Sequence, residues 1–210
     1  MRQEHTRLIL AVTLSTLTIL AGGCRAATPE AYVHTTYDYV TASSIEELVH
    51  KANVIVIGRV VSVAEFPDFN LARDTRDHSQ PASDITCPAT VYEVKVERYL
   101  KGDAGPTLQI ARAEKILPPE EIKEGVTVHM PDQAIPLMVE ARYLFFLVPG
   151  ERYPDSSLPE YYGFVPVQPT RFRLESGEAR VESEWAWAER YFPSTTEEAL
   201  LQQVMAEVVR

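Results

Sequence analysis

The chain has 210 residues, of which 45% are hydrophobic, and it carries a net charge of −10 at neutral pH. This length is sufficient for one well-buried domain and short for two. The acidity argues against nucleic acid as a partner, because a surface of this sign repels the phosphate backbone. Acidity is also a common solubility feature of secreted domains, so by itself it does not indicate a cationic ligand.

The N-terminal segment has the organisation of a bacterial lipoprotein signal. Arg2 and Arg7 give it a positive start, residues 8–20 form an apolar core, and the run Leu20-Ala21-Gly22-Gly23-Cys24 resembles a lipobox. The apolar core is shorter than the ~20 residues that span a bilayer. We therefore predict cleavage before Cys24 and lipidation of its thiol. Cleavage by the ordinary signal peptidase and retention as a membrane helix are the alternatives.

Lipidation at Cys24 predicts both the organisation and the location of the protein. It divides the chain into a signal peptide (1–23), a lipidated tether (24–42) and a single β-barrel domain with a C-terminal helix (43–210). A diacylglyceryl thioether with an N-acyl chain is an effectively permanent anchor, because each buried methylene contributes about 0.8 kcal/mol. We expect the protein in the cell envelope: on the outer membrane of a double-membraned bacterium, and otherwise on the outer face of the cytoplasmic membrane.

Cys87 is the second cysteine of the chain, so the lipidated protein has no partner for an internal disulfide. It lies in Thr86-Cys87-Pro88, at the beginning of a predicted strand. We predict that it is buried, because unpaired cysteine behaves as a small hydrophobic residue. Pairing between chains and reactivity as a thiol are the alternatives.

The first half of the domain reads as a short helix followed by two long strands. Ser44 and Glu47 form a capping-box signature, and the helix should end near Ala52. The β-branched run 54–63 predicts a strand buried on both sides, with Gly58 marking a bulge or bend. After a long polar excursion over 65–89, residues 90–99 alternate between apolar and charged and predict a half-buried strand.

The second half contains further strands and ends in a helix. After the turn 101–106, Leu108 and Ile110 continue the next strand, and a second polar excursion covers 113–136. We predict additional strands over 142–148 and 161–167, and a hairpin around residues 175–178. The sequence Ser194-Thr195-Thr196-Glu197 is a second capping-box signature, here opening an amphipathic C-terminal helix. Its apolar stripe comprises Leu200, Leu201, Val204, Met205 and Val208.

A family resemblance is carried by three of these segments, 52–60, 92–102 and 141–147. Together they resemble the netrin-like modules, the OB-type barrels of the tissue inhibitors of metalloproteinases and of bacterial exported proteins with the same strand plan. The resemblance spans about residues 43–182 and implies a mainly β fold with flanking helices. The fold it implies is an OB-type antiparallel β-barrel capped by the N-terminal helix and the C-terminal helix. Glu140-Ala141 stands where such sequences often carry a glycine, and the disulfide cysteines of the animal modules are missing.

Signatures of catalysis are largely absent from the sequence. It has no G-x-S-x-G elbow, no H-E-x-x-H, no phosphate loop and no G-x-G-x-x-G. The four histidines beyond the signal have no metal-ligand spacing, and the cluster Asp74-Thr75-Arg76-Asp77-His78 lacks the spacing of an EF-hand. We therefore expect no catalytic residues, no metal and no cofactor. The histidines are His34, His50, His78 and His129.

Trp185, Trp187 and Tyr191 form the strongest candidate for a ligand platform. In an extended chain the two tryptophans share a face, as stacking against a sugar ring requires, whereas in a helix they diverge by about 200°. Bulky aromatic side chains more often close a core, so packing is the alternative for this segment.

The sequence as a whole predicts a non-enzymatic binding module, anchored to the membrane by lipid and facing a protein or glycan partner in the envelope. A protease-inhibitor-like module and an enzyme of unrecognised type are the alternatives. The resemblance implies chelation of a protease zinc by the free amine and the carbonyl of an N-terminal cysteine. An acylated Cys24 would lack the lone pair that this chemistry needs.

Overall fold

The computed structural model describes residues 40–71, 80–82, 86–113, 135–150, 160–165, 167–183 and 188–210. This part of the chain is mainly β, with three helices. The helices are α1 (Ile45–Lys51), α2 (Ala188–Tyr191) and α3 (Glu197–Val208). The strands are β1 (Val40–Thr41), β2 (Val54–Asn70), β3 (Pro88–Lys101), β4 (Thr107–Ala113), β5 (Arg142–Pro149), β6 (Tyr162–Phe164), β7 (Val167–Gln168), β8 (Arg171–Glu175), β9 (Glu178–Val181) and β10 (Thr195–Thr196).

Five of the strands pair in a closed ring. The order is β2-β3-β4-β6-β5, and β5 pairs with β2 to complete the circuit. The sequence predicts antiparallel pairing throughout, but β4 and β6 are parallel. The parallel pair arises because β5 lies between β4 and β6 in the chain, and β6 then inserts between β4 and β5.

Strand β5 is the junction between the ring and the rest of the sheet. One edge of β5 pairs with β2 along its length. Its other edge pairs first with β8 and then with β6. The change of partner occurs at Phe146, whose N–H donates to Thr170 and whose carbonyl accepts from Val165. The sheet therefore forks at Phe146, with β6 closing the ring and β8 leading outward to β9 and β10.

Both faces of β5 are buried, and so are both faces of β2 over residues 54–60, which confirms this part of the prediction made from its continuous apolar run. The burial does not extend to the predicted end of the run at residue 63, since Ser62 and Val63 are exposed. Alternate residues face the ring interior, where Val56 and Phe145 belong to one apolar cluster. The intervening residues, such as Ile57 and Phe146, face a second cluster on the outside of the sheet. Helices α1 and α3 cover this outer face and contact each other there, rather than capping the open ends of the ring as the sequence reading expects.

Most of the predicted local signals are present. The Ser44 hydroxyl accepts a hydrogen bond from Glu47 N–H and begins α1. The β8–β9 hairpin turns at Ser176 and Gly177, which both have positive φ, as a type I′ turn requires. Cys87 is buried, as predicted. The pairing of β2 with β3 shifts register between Ile57 and Gly58, which confirms the bulge.

Three predicted boundaries are wrong. The excursion over 65–89 is shorter, because β2 continues to Asn70 and β3 already begins at Pro88. The single strand predicted over 161–167 is two strands with different partners, β6 in the ring and β7 beside β1. The capping signature at Ser194 does not begin the last helix. Thr195 and Thr196 pair with β9 instead, and the Thr196 hydroxyl caps α3 by accepting from Ala199 N–H.

Gly58 should tolerate no side chain, because the bulge brings β3 against its α-carbon. A Cβ there would overlap the Val94 methyl and lie 3.1 Å from the Lys95 carbonyl oxygen. We expect Gly58→Ala to lower the free energy of unfolding by about 1–3 kcal/mol in urea denaturation. Gly163→Ala is the matched control, since a Cβ at Gly163 meets no atom within 4 Å. Equal unfolding midpoints for the two variants would contradict this account of the bulge.

Candidate binding surface at the turn before β5

Three of the residues singled out in the sequence, Cys24, Trp185 and Trp187, lie outside the described residues. The third aromatic residue of the predicted platform, Tyr191, ends the short helix α2 and is 59% exposed. The next residue, Phe192, is buried and packs edge-on against Phe172 at 5.8 Å between ring centroids. The described end of this aromatic segment therefore joins the outer core through Phe192.

A buried arginine lies at the fork of the sheet. Arg171, the first residue of β8, is 2% exposed, and its Nε donates to Glu182 Oε2 at 2.9 Å. Its guanidinium lies over the ring of Phe164 in β6, with 5.6 Å between the guanidinium carbon and the ring centroid. This side chain bridges the two branches of the fork, because the ring belongs to one branch and the arginine to the other.

The charge of Arg171 is held in the fold at a cost. Burial lowers the pKa of the Arg171 guanidinium from its ordinary value, the charge of Arg112 lowers it further, and Glu182 raises it. A lowered pKa in a base means that, relative to its neutral form, the protonated form is less favourable in the fold than in the unfolded chain. Burial therefore disfavours the charge of Arg171, and its ion pair with Glu182 offsets part of that effect.

The arginines at the fork fasten the segment that leads into β5. The Ile135 carbonyl oxygen accepts from Arg171 Nη2 at 2.6 Å and from Arg112 Nη1 at 2.9 Å. Two residues later, Leu137 is buried in the ring interior. Since Arg112 lies in β4 and Arg171 in β8, these two hydrogen bonds attach the segment to both strands.

A tight turn follows at residues 138–141. The Ala141 N–H donates to the Met138 carbonyl, and Glu140 has φ = 67°, a left-handed conformation that favours glycine. Glycine is also the residue that the netrin-like resemblance leads one to expect near this point. The turn is fixed to β2 by two backbone hydrogen bonds, from Glu140 N–H to the Val60 carbonyl and from Val60 N–H to the Ala141 carbonyl.

Side chains hold the same turn from three further directions. The Tyr143 hydroxyl accepts from Met138 N–H at 3.1 Å, and burial raises the pKa of this phenol above its ordinary value. Arg59 Nη1 donates to the Glu140 carbonyl at 2.7 Å. Arg173 Nη1 lies 3.2 Å from the Met138 sulfur. The turn is therefore rigidly positioned by contacts from β2, β5 and β8.

What the turn exposes is an apolar pair and a carboxylate. Met138 is 49% exposed and Val139 is 45% exposed, and Glu140 is exposed beside them. The turn borders a groove of about 400 Å³ that also contacts the β8–β9 hairpin. The residues that line it include Arg59, Met138, Arg142, Arg173, Glu175 and Ser176.

The arginines of the groove are already paired. Arg142 Nε donates to Glu97 at 2.8 Å, and its two terminal nitrogens each contact a carboxylate oxygen of Glu197 at 3.2 Å. Arg59 lies 3.5 Å from Glu97, and Arg173 lies 3.3 Å from Glu175. The Glu140 carboxylate makes no hydrogen bond or ion pair with a described residue, so it is the uncompensated charge of this surface.

Two kinds of site are not found in the described residues. No group of three or more histidine, cysteine, aspartate or glutamate side chains there could hold a metal ion. Among the same residues, the helices are all too short or too polar to cross a lipid bilayer.

The chain matches no protein-family model, and no curated protein is significantly similar to it.

Sequence reasoning missed this turn. The polar excursion predicted over 113–136 ends just before it, and only Glu140-Ala141 at a position where glycine is common pointed to it. The exposed Met138 and Val139 carry no local signal, because their apolar character resembles that of the strand that follows. Arg171 reads as an ordinary polar residue at the beginning of a hairpin.

We expect Arg171→Met to lower the free energy of unfolding by about 3–5 kcal/mol, because it leaves the Glu182 carboxylate, which is only 12% exposed, without its cation. The double variant Arg171→Met/Glu182→Leu should recover much of this loss, since removing both partners of a buried pair is often nearly neutral. Arg180→Met, at the exposed pair with Glu178, should unfold at the same urea concentration as the wild type. A double variant no more stable than Arg171→Met would contradict the ion-pair account.

Glu140→Gly should raise the free energy of unfolding by about 0.5–1 kcal/mol. The left-handed conformation costs about 1–2 kcal/mol for a residue with a side chain, and the greater unfolded-state entropy of glycine cancels part of the gain. Glu140→Gln keeps the side chain and removes its charge, so its unfolding midpoint should match the wild type. Thermal and urea unfolding measure both. A less stable glycine variant would show that the left-handed backbone is not a strain.

Proposed function

We propose that this protein is a lipid-anchored, non-enzymatic binding module of the bacterial cell envelope, built on an OB-type barrel. The observation that carries the binding role is the turn at residues 138–141, which is held rigidly and exposes Met138 and Val139 to solvent. Exposed apolar side chains on a fixed backbone bind a partner with little loss of conformational entropy.

The strand order of the ring supports the OB-type assignment. An OB barrel is a five-stranded Greek-key barrel. Here β2, β3 and β4 form an antiparallel meander, and β6 inserts between β4 and β5 to close a ring of five. The parallel pairing of β4 with β6 follows from this order. The OB fold serves many unrelated functions, so it supports the architecture of the proposal and not the identity of a ligand.

The anchor and the lack of catalysis rest on the sequence. The run Leu20-Ala21-Gly22-Gly23-Cys24 after an apolar core supports export and lipidation. Catalytic signatures are largely absent from the sequence, which supports a non-enzymatic role. The acidic chain, with a net charge of −10, supports a partner that is not nucleic acid.

Replacing Cys24 by serine should abolish the anchor. We expect Cys24→Ser to lose incorporation of labelled fatty acid and to move from the detergent phase to the aqueous phase in detergent partitioning, because serine supplies no thiol for the thioether. Cys87→Ser is the matched control. It should still be labelled, because it keeps Cys24, and the thiol that it removes is buried in the fold. Unchanged labelling of Cys24→Ser would overturn the proposed anchor and location.

A further inference from the structure

We propose that the tip formed by Met138, Val139 and Glu140 binds a protein partner through an apolar cleft that carries a lysine or arginine. This inference rests on the proposed function and deepens it, because it assigns the binding surface and the chemistry of the partner. The tip lies in the connection between β4 and β5. It is separate from β3 and β4, the strands whose face serves ligands most often in OB barrels.

The apolar part of the surface consists of two residues that are adjacent in the chain, Met138 and Val139. The described residues include five large hydrophobic side chains that are strongly exposed, and only Met138 and Val139 are adjacent in the chain. Scattered exposed hydrophobic residues are normal on a protein surface, and this pair is smaller than a patch of a few hundred Å², so it contributes an apolar contact only together with the fixed turn and the charge beside it. Met138 is also a flexible, polarisable side chain that adapts to an irregular apolar cleft.

The charge of the surface determines the sign of the partner. Arg59, Arg142 and Arg173 each already contact a carboxylate. The Glu140 carboxylate contacts no described charged group, and the chain as a whole is acidic. Complementary charges steer association and select between partners, so a basic residue beside the apolar cleft is the matching feature.

The backbone conformation of the tip lowers the stability of the fold but holds the binding residues in one arrangement. Glu140 occupies a left-handed conformation in which glycine would be less strained. Strained backbone of this kind is retained where the surrounding structure fixes it, and it concentrates at functional sites. Here hydrogen bonds from Arg59, Val60 and Tyr143 fix the turn, so the carboxylate and the apolar pair are presented in one arrangement.

Photo-crosslinking in the full-length, lipidated protein tests this proposal. Val139 is replaced by p-benzoylphenylalanine in cells that export the protein, and Val63, which is 47% exposed in β2, is replaced in a control. After irradiation, adducts are resolved on gels and the crosslinked peptides are identified by mass spectrometry. Fatty-acid labelling of the same samples reports the anchor independently.

We expect a protein adduct at position 139 and none of the same mass at position 63. Its crosslinked peptide should contain a lysine or arginine. In the background of Glu140→Lys, the yield of this adduct should fall about tenfold. Glu140→Gln and Glu140→Gly should both reduce the yield of this adduct, because both remove the carboxylate. Only the glycine variant should be more stable than the wild type, so a change in stability does not explain the reduction.

Each other outcome overturns the proposal. A lipid adduct at 139 would identify the membrane as the occupant, and an adduct that survives Glu140→Lys would remove the role of charge. The absence of a specific adduct at 139 would refute the assigned surface. If the labelled fatty acid is present in that case, the proposed anchor stands and only this inference fails, whereas its absence is a failure of the proposed location.

Discussion

The fork of the sheet at Phe146 is the constraint on which the rest of this structure depends. A strand whose edge changes partner partway along must leave a gap where the two partners separate, and the polar groups in that gap need hydrogen bonds. Arg171 fills the gap from β8 and stacks on Phe164 of β6. Its guanidinium is held by the ion pair with Glu182 and by the hydrogen bond to Ile135, and the second of these contacts fixes the segment that leads to the exposed tip.

The two faces of the sheet pack in two different apolar cores because of that fork. The inner residues of β2 and β5 fill a closed ring, and the outer residues form a second core with α1 and α3. Arg142, which lies beside the tip, contacts Glu97 of β3 and Glu197 at the N-terminus of α3. The C-terminal helix, the ring and the candidate binding surface are therefore tied together by one side chain as well as by apolar packing.

The elements that depend on strong local signals could be predicted from the sequence, whereas the pairings between distant segments could not. The run beginning at Val54 could be assigned to a doubly buried strand because burial on both faces demands continuous apolar residues. Ser44 could be assigned as a helix cap for a similarly local reason. Ser194 carried the same signature and was wrong, because pairing of Thr195 with Ala179 in β9 is a contact between distant segments. The fork could not be predicted, since partner exchange on one strand edge leaves no periodic pattern. The candidate tip was hidden for the same reason: the contacts that fix Glu140 come from β2, β5 and β8.

Helix α3 follows every described strand in the sequence, and this affects the order in which the molecule can be completed. Leu200 and Val204 belong to the outer cluster together with residues of β5 and β8, so this cluster stays incomplete until α3 is available. A chain that is synthesised, or passes through a translocation pore, with its N-terminus first can close the ring before its outer surface is protected. Such an intermediate exposes an apolar surface of the kind that chaperones bind. Truncation after β9 would leave the protein permanently in that state.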